Sequence, residues 1–319
     1  MIEGIDRRIS KLALGTAFYK LDNKAALSDI LDDFIEQGGT VIDTGRHYGE
    51  SEDVIGLWME SRGVRDRVIL STKGGHGKNH GVDAHVFAGT IERELTTSLE
   101  RLRTDQVDLY MLHRDSPTVS VAEIMDCLNG ELNRGRVHSL GASNWTYDRI
   151  AEANDYAYNH NLKGFSVASN NISLAVPAEP FYPGLISVDK TGEEWHQQSG
   201  IPLIVWSSQA RGFFTGSFTP QMRTSNVQDG FTARMVEVYG TDDNFERLRR
   251  AAELGERKGG YSATQIALAY LLYKPFPLVP IVGAHNKDEL KSCFQAVSIQ
   301  MTQQEIEWLN LAGKDGTTC

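Results

Sequence analysis

Short apolar runs alternate with longer amphipathic stretches along most of the chain. The first pair is typical, because the apolar run at 12–14 precedes a stretch at 24–36 in which Ala26, Ile30 and Phe34 fall on one helical face. Apolar runs bounded by polar residues predict buried strands, whereas a period near 3.6 predicts an amphipathic helix. The chain therefore begins with a predicted strand followed by a predicted helix.

The same alternation continues and predicts a closed barrel. The predicted strands lie at 12–14, 40–42, 68–71, 107–112, 136–140, 164–168, 202–206 and 279–282. Helices are predicted at 24–36, 52–61, 88–102, 121–133, 147–159, 193–198 and 287–296. Parallel strands joined by helices without a strong linker favour a (β/α)8 TIM barrel of the α/β class over an open doubly wound sheet. We predict one domain over residues 1–319, with its site at the C-terminal rim of the barrel.

Two long loops and two additional helices interrupt the regular alternation. The loops follow the sixth and seventh predicted strands, at about 170–190 and 207–241, and the second is rich in Gly, Ser, Thr and aromatic residues. Long loops in compact domains are usually functional, so we expect the second loop to be a mobile cover over the barrel mouth. The helices predicted at 243–258 and 303–311 lie outside the eightfold count.

Composition excludes several classes of protein. The formal net charge is -10 and the pI is about 5.4, without a large basic cluster, so a nucleic acid or an anionic membrane is not expected as a partner. The 3 cysteines are widely spaced and lack metal-binding companions, so reduced thiols and no metal are predicted. No segment approaches about 20 consecutive apolar residues. We expect a soluble, cytoplasmic protein that is not secreted.

Polar, titratable side chains follow three successive predicted strands. Asp43 and Tyr48 follow the second strand, Lys73 the third and His113 the fourth. Taken singly, each has an ordinary interpretation: an aspartate often caps a helix, a tyrosine or lysine can lie at a solvated rim, and a buried histidine can bond to backbone. Together they require four independent coincidences of residue type and position, which favours catalysis.

The four residue types suit carbonyl reduction. A lysine ammonium beside a tyrosine favours the phenolate and is expected to lower the pKa of Tyr48, which makes Tyr48 a usable proton donor. An aspartate paired with Lys73 would keep the ammonium charged, and a neutral His113 would hydrogen-bond the substrate carbonyl oxygen. The residues themselves supply no hydride.

The surrounding motifs resemble those of the aldo-keto reductase family. The resemblance rests on Asp43 with Tyr48-Gly49 and Glu52, on the segments at 71–75, 98–102 and 105–110, on Leu112-His113-Arg114, and on Gly135-Arg136-Val137, Gly141-Ala142-Ser143-Asn144-Trp145 and Pro280-Ile281-Val282-Gly283. These motifs are highly specific in combination. They cover the first half of the chain densely and the second half more loosely. The Leu-His-Arg-Asp stretch at 112–115 and the Ser-Leu-Ala-Val-Pro stretch at 173–177 resemble a bacterial or fungal subgroup of reductases without an assigned substrate.

The resemblance implies a nicotinamide cofactor extended across the C-terminal rim, without a Rossmann domain. Asp43, Tyr48, Lys73 and His113 would form the catalytic tetrad, with Tyr48 as the acid in reduction. Ser143 and Asn144 would hydrogen-bond the carboxamide, and Trp206 would stack on the nicotinamide ring. The family often has a glutamine on the sixth strand, where this chain offers Ser169, with Asn170 as the competing candidate.

The resemblance also implies contacts with the rest of the cofactor, and here one family residue is missing. The further candidates are Thr16, Ser207, Gln209, Arg211, Gly283, His285, Lys287 and Glu289. His285 stands where the family commonly has an arginine for the adenosine 2'-phosphate, and a histidine is a weaker, pH-dependent partner for a phosphate. Lys287 could substitute as a point charge, and Arg211 could bind the pyrophosphate. NADPH is the expected cofactor, with NADH possible.

The substrate expected from the resemblance is a small aldehyde, ketone or sugar-like carbonyl compound. Candidate pocket residues are Phe18, Tyr19, His47, Arg114, Trp145, Phe181 and Phe213. Two alternatives stay open: a non-catalytic nicotinamide-binding redox sensor or accessory subunit, and an aldolase that forms a Schiff base with Lys73. A monomer or weak homo-oligomer is expected.

Overall fold

Eight parallel strands form a closed barrel in the order β1 to β8, which confirms the predicted (β/α)8 architecture. This computed structural model describes residues 2–77, 88–225 and 227–312. The strands are β1 (Ala13–Gly15), β2 (Val41–Asp43), β3 (Ile69–Gly74), β4 (Val107–Leu112), β5 (Val137–Ser143), β6 (Val167–Ser169), β7 (Leu203–Val205) and β8 (Leu278–Val282). The pairing of β1 with β8 closes the barrel.

Helices surround the barrel and continue into its C-terminal region. They are α1 (Lys24–Glu36), α2 (Ser51–Arg62), α3 (Ala88–Leu102), α4 (Val121–Asn133), α5 (Tyr147–Asn159), α6 (Lys190–Ser199), α7 (Gly230–Tyr239), α8 (Asp242–Arg257), α9 (Ala263–Leu271), α10 (Lys287–Ala296) and α11 (Gln303–Leu309). Short 3-10 helices lie at Leu21–Asn23, Arg65–Arg67, Ala210–Thr215 and Pro220–Arg223. The prediction of one domain over 1–319 remains a prediction.

Polar N-cap residues set the start of many helices. The Ser120 hydroxyl accepts a hydrogen bond from the backbone N–H of Glu123 at the start of α4, and Asp189 accepts from Gly192 at the start of α6. Ser262 forms a reciprocal capping box with Gln265. Such caps satisfy backbone N–H groups that have no partner within the helix.

Side chains fill the barrel interior in layers that change from apolar to polar. Along β3, Ile69 belongs to an apolar interior cluster, whereas Ser71 and Lys73, on the same face, contact Asp43. Ile2 and Ile5 pack against this cluster from the N-terminal segment. The lower layers therefore form a packed core, and the polar groups lie toward the C-terminal rim.

Several strands extend further toward the rim than their apolar runs predicted. Lys73 lies within β3, and Asp43, Ser143 and Ser169 are the last residues of their strands. The prediction that Asp43 and Lys73 follow their strands was therefore wrong by a few residues. The strands continue because backbone pairing persists where the inward-facing side chains are already polar.

The second long loop and the segment after it contain helices that the periodicity did not predict. Two 3-10 helices and α7 lie between 207 and 241, so this segment is not an irregular loop. The segment at 263–271 forms α9, which packs against β8, α8 and α10 and completes the ring of helices between β7 and β8. All but the first two residues of α9 are buried, so its sequence lacks the polar stripe of an amphipathic helix.

Within the described ranges, no helix is long and apolar enough to cross a membrane. Nor do those ranges contain a cluster of three or more His, Cys, Asp or Glu side chains suited to hold a metal ion. The expectation of a cytoplasmic location remains a prediction.

Candidate active site

A buried ion pair joins the second and third strands at the rim. The Lys73 ammonium donates to both carboxylate oxygens of Asp43, at 2.7 and 2.6 Å, and to the backbone carbonyl of Thr44 at 2.9 Å. Ser71 adds a hydrogen bond to Asp43 at 3.2 Å. Burial lowers the pKa of Lys73, but attraction to Asp43 and to the nearby Tyr48 outweighs this and raises it. Lys73 is therefore held as a cation.

Tyr48 lies at the rim, between this cation and His113. The Lys73 nitrogen is 5.3 Å from the centroid of the Tyr48 ring. The rings of Tyr48 and His113 meet edge-on, with centroids 5.5 Å apart. The structure thus brings together all four residues of the predicted tetrad.

The pKa of Tyr48 shifts in the direction opposite to the one expected from Lys73 alone. Burial raises the pKa of the phenol, and the positive charge of Lys73 only partly offsets this. The expectation of a lowered pKa considered the charge without the desolvation that accompanies it. Tyr48 is consequently protonated at neutral pH, which is the form that can donate a proton.

His113 is held neutral in a crowded, positively charged environment. Burial lowers the pKa of His113 well below its usual value, and the charge of Lys73 adds to the effect. The Nδ1 atom is buried and has no hydrogen-bond partner among the described residues. The imidazole therefore carries a polar atom that the surrounding protein leaves available to a ligand.

A second histidine contacts His113 and was missed in the sequence. The His76 ring lies 4.7 Å from that of His113, edge-on, and stacks at 3.6 Å on His47. The row of rings leads from His113 to the exposed side chain of His47 at the rim. The position of His76 three residues after Lys73 was the only signal in the sequence.

The residues predicted to bind the carboxamide converge on one backbone carbonyl. The oxygen of Ser169 accepts hydrogen bonds from the Ser143 hydroxyl at 2.9 Å, the Asn144 backbone N–H at 3.2 Å and the Trp206 indole N–H at 3.2 Å. The Ser169 hydroxyl is buried without a partner among the described residues. Asn170, the competing candidate, is instead engaged, because its side-chain oxygen accepts from the Asn144 N–H at 2.8 Å.

The loop after β7 has an unusual backbone conformation. Ser207, Ala210 and Arg211 have φ angles of 51°, 48° and 52°, in the left-handed region that favours glycine. Each such residue costs on the order of 1–3 kcal/mol and persists only where surrounding contacts hold it. Ser208 supplies one such contact, since its hydroxyl donates to the carbonyl of Ile281 at 2.6 Å. Strain of this kind is typical of loops that bind ligands.

The start of α10 is exposed, as a site for the adenosine end of a cofactor requires. Gly283 has no atom within 4 Å of the position that a Cβ would occupy. The Glu289 carboxylate accepts from the His285 backbone N–H at 2.8 Å and from the Asn286 amide at 3.0 Å, and Asn286 caps the helix by accepting from the Glu289 backbone N–H at 2.9 Å. Lys287 and the His285 ring are exposed. Farther along α10, Cys293 is buried and accepts from the Gln209 amide at 3.7 Å.

The family model described as "Aldo/keto reductase family" matches residues 11–312. The chain belongs to this family. A probable aryl-alcohol dehydrogenase of Saccharomyces cerevisiae is 30% identical to it over 301 residues, covering 90% of this chain and 87% of the relative. Norsolorinic acid reductase B of Aspergillus parasiticus is 30% identical over 323 residues, covering 94% and 79%. A crystal structure of a thermostable aldo-keto reductase bound to the inhibitor epalrestat has a TM-score of 0.72 at 22% identity and covers 98% of both chains.

Family membership confirms that this protein is an oxidoreductase, of a family that uses nicotinamide cofactors and acts on small carbonyl compounds. The geometry at Lys73 also bears on the Schiff-base alternative. A lysine must lose its proton to attack a carbonyl carbon, whereas Asp43 keeps this ammonium charged and bound on three sides. That alternative is therefore disfavoured.

The predicted substrate residues of this aldo-keto reductase differ in their placement. Phe18 is 78% exposed and His47 is also exposed, whereas Arg114 is buried next to the tetrad. Trp145 has no exposed surface and packs against Phe165, with ring centroids 5.0 Å apart. Trp145 therefore packs in the core, because an aromatic residue that follows a strand can turn inward, and its predicted contact with substrate remains a prediction.

Phe213 and Thr16 are likewise buried. Phe213 is 1% exposed within an aromatic cluster, and its predicted place in the substrate pocket remains a prediction. The Thr16 hydroxyl donates to the backbone carbonyl of Asp43 at 2.9 Å and accepts from Ser51 at 2.7 Å. Thr16 thus supports the end of β2, and its predicted contact with a cofactor remains a prediction.

Proposed function

We propose that this aldo-keto reductase reduces an aldehyde or ketone to an alcohol with NADPH, with Tyr48 as the proton donor. The observation that carries the proposal is the buried Asp43–Lys73 pair, which places a fixed ammonium beside the protonated phenol of Tyr48. The bound cofactor would supply the hydride. The protein's own residues bind and orient the carbonyl and deliver the proton.

Proton delivery follows from the charges around Tyr48. As negative charge develops on the carbonyl oxygen, the phenol donates its proton to that oxygen. The phenolate left behind faces the Lys73 ammonium, which stabilises it more strongly than it stabilises the neutral phenol. Asp43 keeps Lys73 charged throughout, so the stabilisation is in place before the reaction begins.

His113 would orient the substrate by hydrogen bonding rather than by proton transfer. Its imidazole is neutral, and the buried Nδ1 has no partner among the described residues. A neutral imidazole close to Tyr48 can hold the carbonyl oxygen in line with the phenol. In such a site, orientation contributes to the rate because the reacting atoms are held in contact.

The residues at the ends of β5, β6 and β7 fit a nicotinamide ring. The orphaned hydroxyl of Ser169 and the side chain of Ser143 offer hydrogen bonds to a carboxamide, and the Trp206 indole is tethered beside them. Because the Asn170 amide is already engaged, we propose Ser169 rather than Asn170 for this contact. The backbone of the left-handed turn at 207–211 and the exposed start of α10 would hold the remainder of the cofactor.

The preference for NADPH over NADH depends on basic side chains at the start of α10. The exposed basic side chains there are His285 and Lys287, and neither offers the bidentate geometry of an arginine. We propose Lys287 as the principal contact for the 2'-phosphate. Salt screens a charge that is exposed to solvent. The ratio of the NADH dissociation constant to the NADPH dissociation constant should therefore decrease as ionic strength rises.

The first test is cofactor binding followed by turnover. Quenching of tryptophan fluorescence by NADPH and by NADH gives both dissociation constants, and the loss of reduced-cofactor absorbance with a panel of aryl aldehydes gives the rate. The proposal expects NADPH to bind more tightly and at least one aldehyde to be reduced. Tight binding without any turnover would favour the redox-sensor alternative, and no binding of either cofactor would refute the proposal.

A further inference from the structure

Two arginines near the barrel mouth have no carboxylate partner among the described residues. Arg114 directly follows His113 and is 5% exposed, and Arg211 lies half-buried in the loop after β7. The Nε atom of each is buried and has no hydrogen-bond partner among the described residues. Neither guanidinium forms an ion pair with a described residue, in contrast to the Lys73 ammonium, which is neutralised by Asp43.

Both arginines contact the same short segment, 181–184, of the loop after β6. An Arg114 N–H donates to the backbone carbonyl of Gly184 at 3.0 Å. The Arg211 guanidinium carbon lies 4.3 Å from the ring centroid of Phe181 and 5.7 Å from that of Tyr182. The segment therefore holds two cations that come from opposite parts of the rim.

The two guanidinium groups also lie within electrostatic range of the catalytic phenol. Burial lowers the pKa of both arginines, and the phenol of Tyr48 is among the groups that oppose this lowering. Tyr48 is thus within electrostatic range of three cations, and of these only Lys73 has a counter-ion among the described residues. The excess positive charge is local, since the whole chain carries a net charge of -10.

Unpaired buried cations are costly, so an uncompensated pair beside a reaction site indicates a ligand that supplies the counter-charge. A guanidinium has several N–H donors in a planar fork that matches a carboxylate or a phosphate. Cation–π contacts such as that of Arg211 with Phe181 fix the plane of the fork without neutralising it. The matching ligand is therefore an anion that lies close to Tyr48.

We infer that the carbonyl substrate of this enzyme carries a carboxylate or a similar anionic group, which Arg114 and Arg211 bind together beside Tyr48. This inference rests on the proposed function. The cofactor pyrophosphate is the other source of such an anion, and it would satisfy Arg211 alone. The substrate is favoured because Arg114 adjoins His113, the residue proposed to orient the carbonyl.

Matched pairs of aldehydes test the inference in the wild-type protein. We compare kcat/KM for 4-carboxybenzaldehyde with that for benzaldehyde, and for succinic semialdehyde with that for butanal, at saturating NADPH. The two pairs differ in length, so one unsuitable spacing does not decide the result. Charge-assisted hydrogen bonds of this kind support a preference of roughly 10-fold or more for the anionic member of at least one pair. Equal rates or a preference for the neutral member in both pairs would overturn the inference.

Two variants then assign the anion to its binding residues. Arg114→Met and Arg211→Met should each reduce the ratio of anionic to neutral kcat/KM by about 10-fold to 100-fold. Arg249→Met removes a charge from an exposed arginine on α8 and should leave the ratio unchanged. General damage to folding or to cofactor binding lowers kcat/KM for both substrates of a pair and therefore leaves their ratio unchanged. A ratio that stays at the wild-type value in Arg114→Met or in Arg211→Met would overturn the shared site.

Cofactor titration separates the two sources of the anion. If the substrate is the source, Arg211→Met should bind NADPH within about 3-fold of the wild-type dissociation constant, because Arg211 then has no phosphate to bind. If NADPH binding weakens about 10-fold or more while the substrate ratio stays constant, the anion is the cofactor's and the inference is wrong.

A binding experiment keeps the inference testable if no aldehyde is reduced. Calorimetry with the NADP+ complex compares benzoate with benzamide, which differ in charge but little in shape. Tighter binding of benzoate that is lost in both arginine variants would support the anion site even though the proposed reaction had failed. Equal binding of the two compounds would overturn the site independently of turnover.

Discussion

Replacing Lys73 by methionine removes the cation that pairs with Asp43. Both side chains are 2–4% exposed, so solvent cannot replace the lost partner. After the change, the described side chain that still bonds to Asp43 is Ser71, at 3.2 Å. Breaking a buried ion pair on one side costs about 3–5 kcal/mol, so we expect the free energy of unfolding to fall by that amount.

A second substitution shows whether the loss comes from the uncompensated carboxylate. Lys73→Met combined with Asp43→Leu leaves no buried charge in the pair, and buried pairs replaced by apolar groups are often neutral in stability. The double variant should recover at least about 2 kcal/mol relative to Lys73→Met. Lys163→Met is the matched control, because Lys163 pairs with Glu3 on the surface and should change stability by less than about 1 kcal/mol.

Urea unfolding at neutral pH, followed by tryptophan fluorescence, measures these three variants and the single variant Asp43→Leu. The slope of the free energy with urea should be the same in each, which shows that each variant exposes the same area on unfolding as the wild type. The reasoning would be refuted if Lys73→Met cost less than about 1 kcal/mol, or if the Asp43→Leu loss simply added to the Lys73→Met loss.

Further predictions concern packing and pH. Gly56→Ala should destabilise the protein by about 1–3 kcal/mol, because its Cβ would lie 2.2 Å from the Arg101 carbonyl oxygen, whereas Gly130→Ala, in open space within α4, should stabilise it by about 0.5–1 kcal/mol. Equal effects in thermal unfolding would contradict this contrast. Burial and the neighbouring positive charges lower the pKa of His113, so the unfolded state takes up a proton first as the pH falls below about 6.5. The stability that His113 contributes is complete above that pH and is lost as the pH falls toward the lower folded pKa. His113→Gln should therefore lose less stability than the wild type between about pH 7 and about pH 5 in urea titrations, and an equal loss would exclude this role.

The strand pattern and the tetrad were predictable because both depend on local features of the sequence. Apolar runs such as 107–112 predict strands of a closed barrel, and a catalytic residue of a barrel follows such a run. The burial of Trp145 was not predictable in the same way, because the direction in which a side chain leaves the rim depends on neighbouring loops. The same reasoning also missed α9, whose nearly complete burial removes the helical alternation of polar and apolar positions.

The electrostatic details required the three-dimensional arrangement. The effect of Lys73 on Tyr48 was expected in sign, but the larger effect of burial on the phenol has no counterpart in the sequence. The relation between Arg114 and Arg211 likewise depends on a loop, 181–184, that is distant from both along the chain. Long-range proximity of this kind is set by the closure of the barrel and not by local pattern.

The most direct test of the proposed mechanism is the rate of carbonyl reduction by Tyr48→Phe. The substitution keeps the ring that meets His113 edge-on and removes only the hydroxyl. We expect kcat to fall by about 100-fold to 10,000-fold, the usual contribution of a positioned acid, while the NADPH dissociation constant stays within about 3-fold of the wild type. A variant that reduced the same aldehyde at nearly the wild-type kcat would contradict the assignment of Tyr48 as the proton donor.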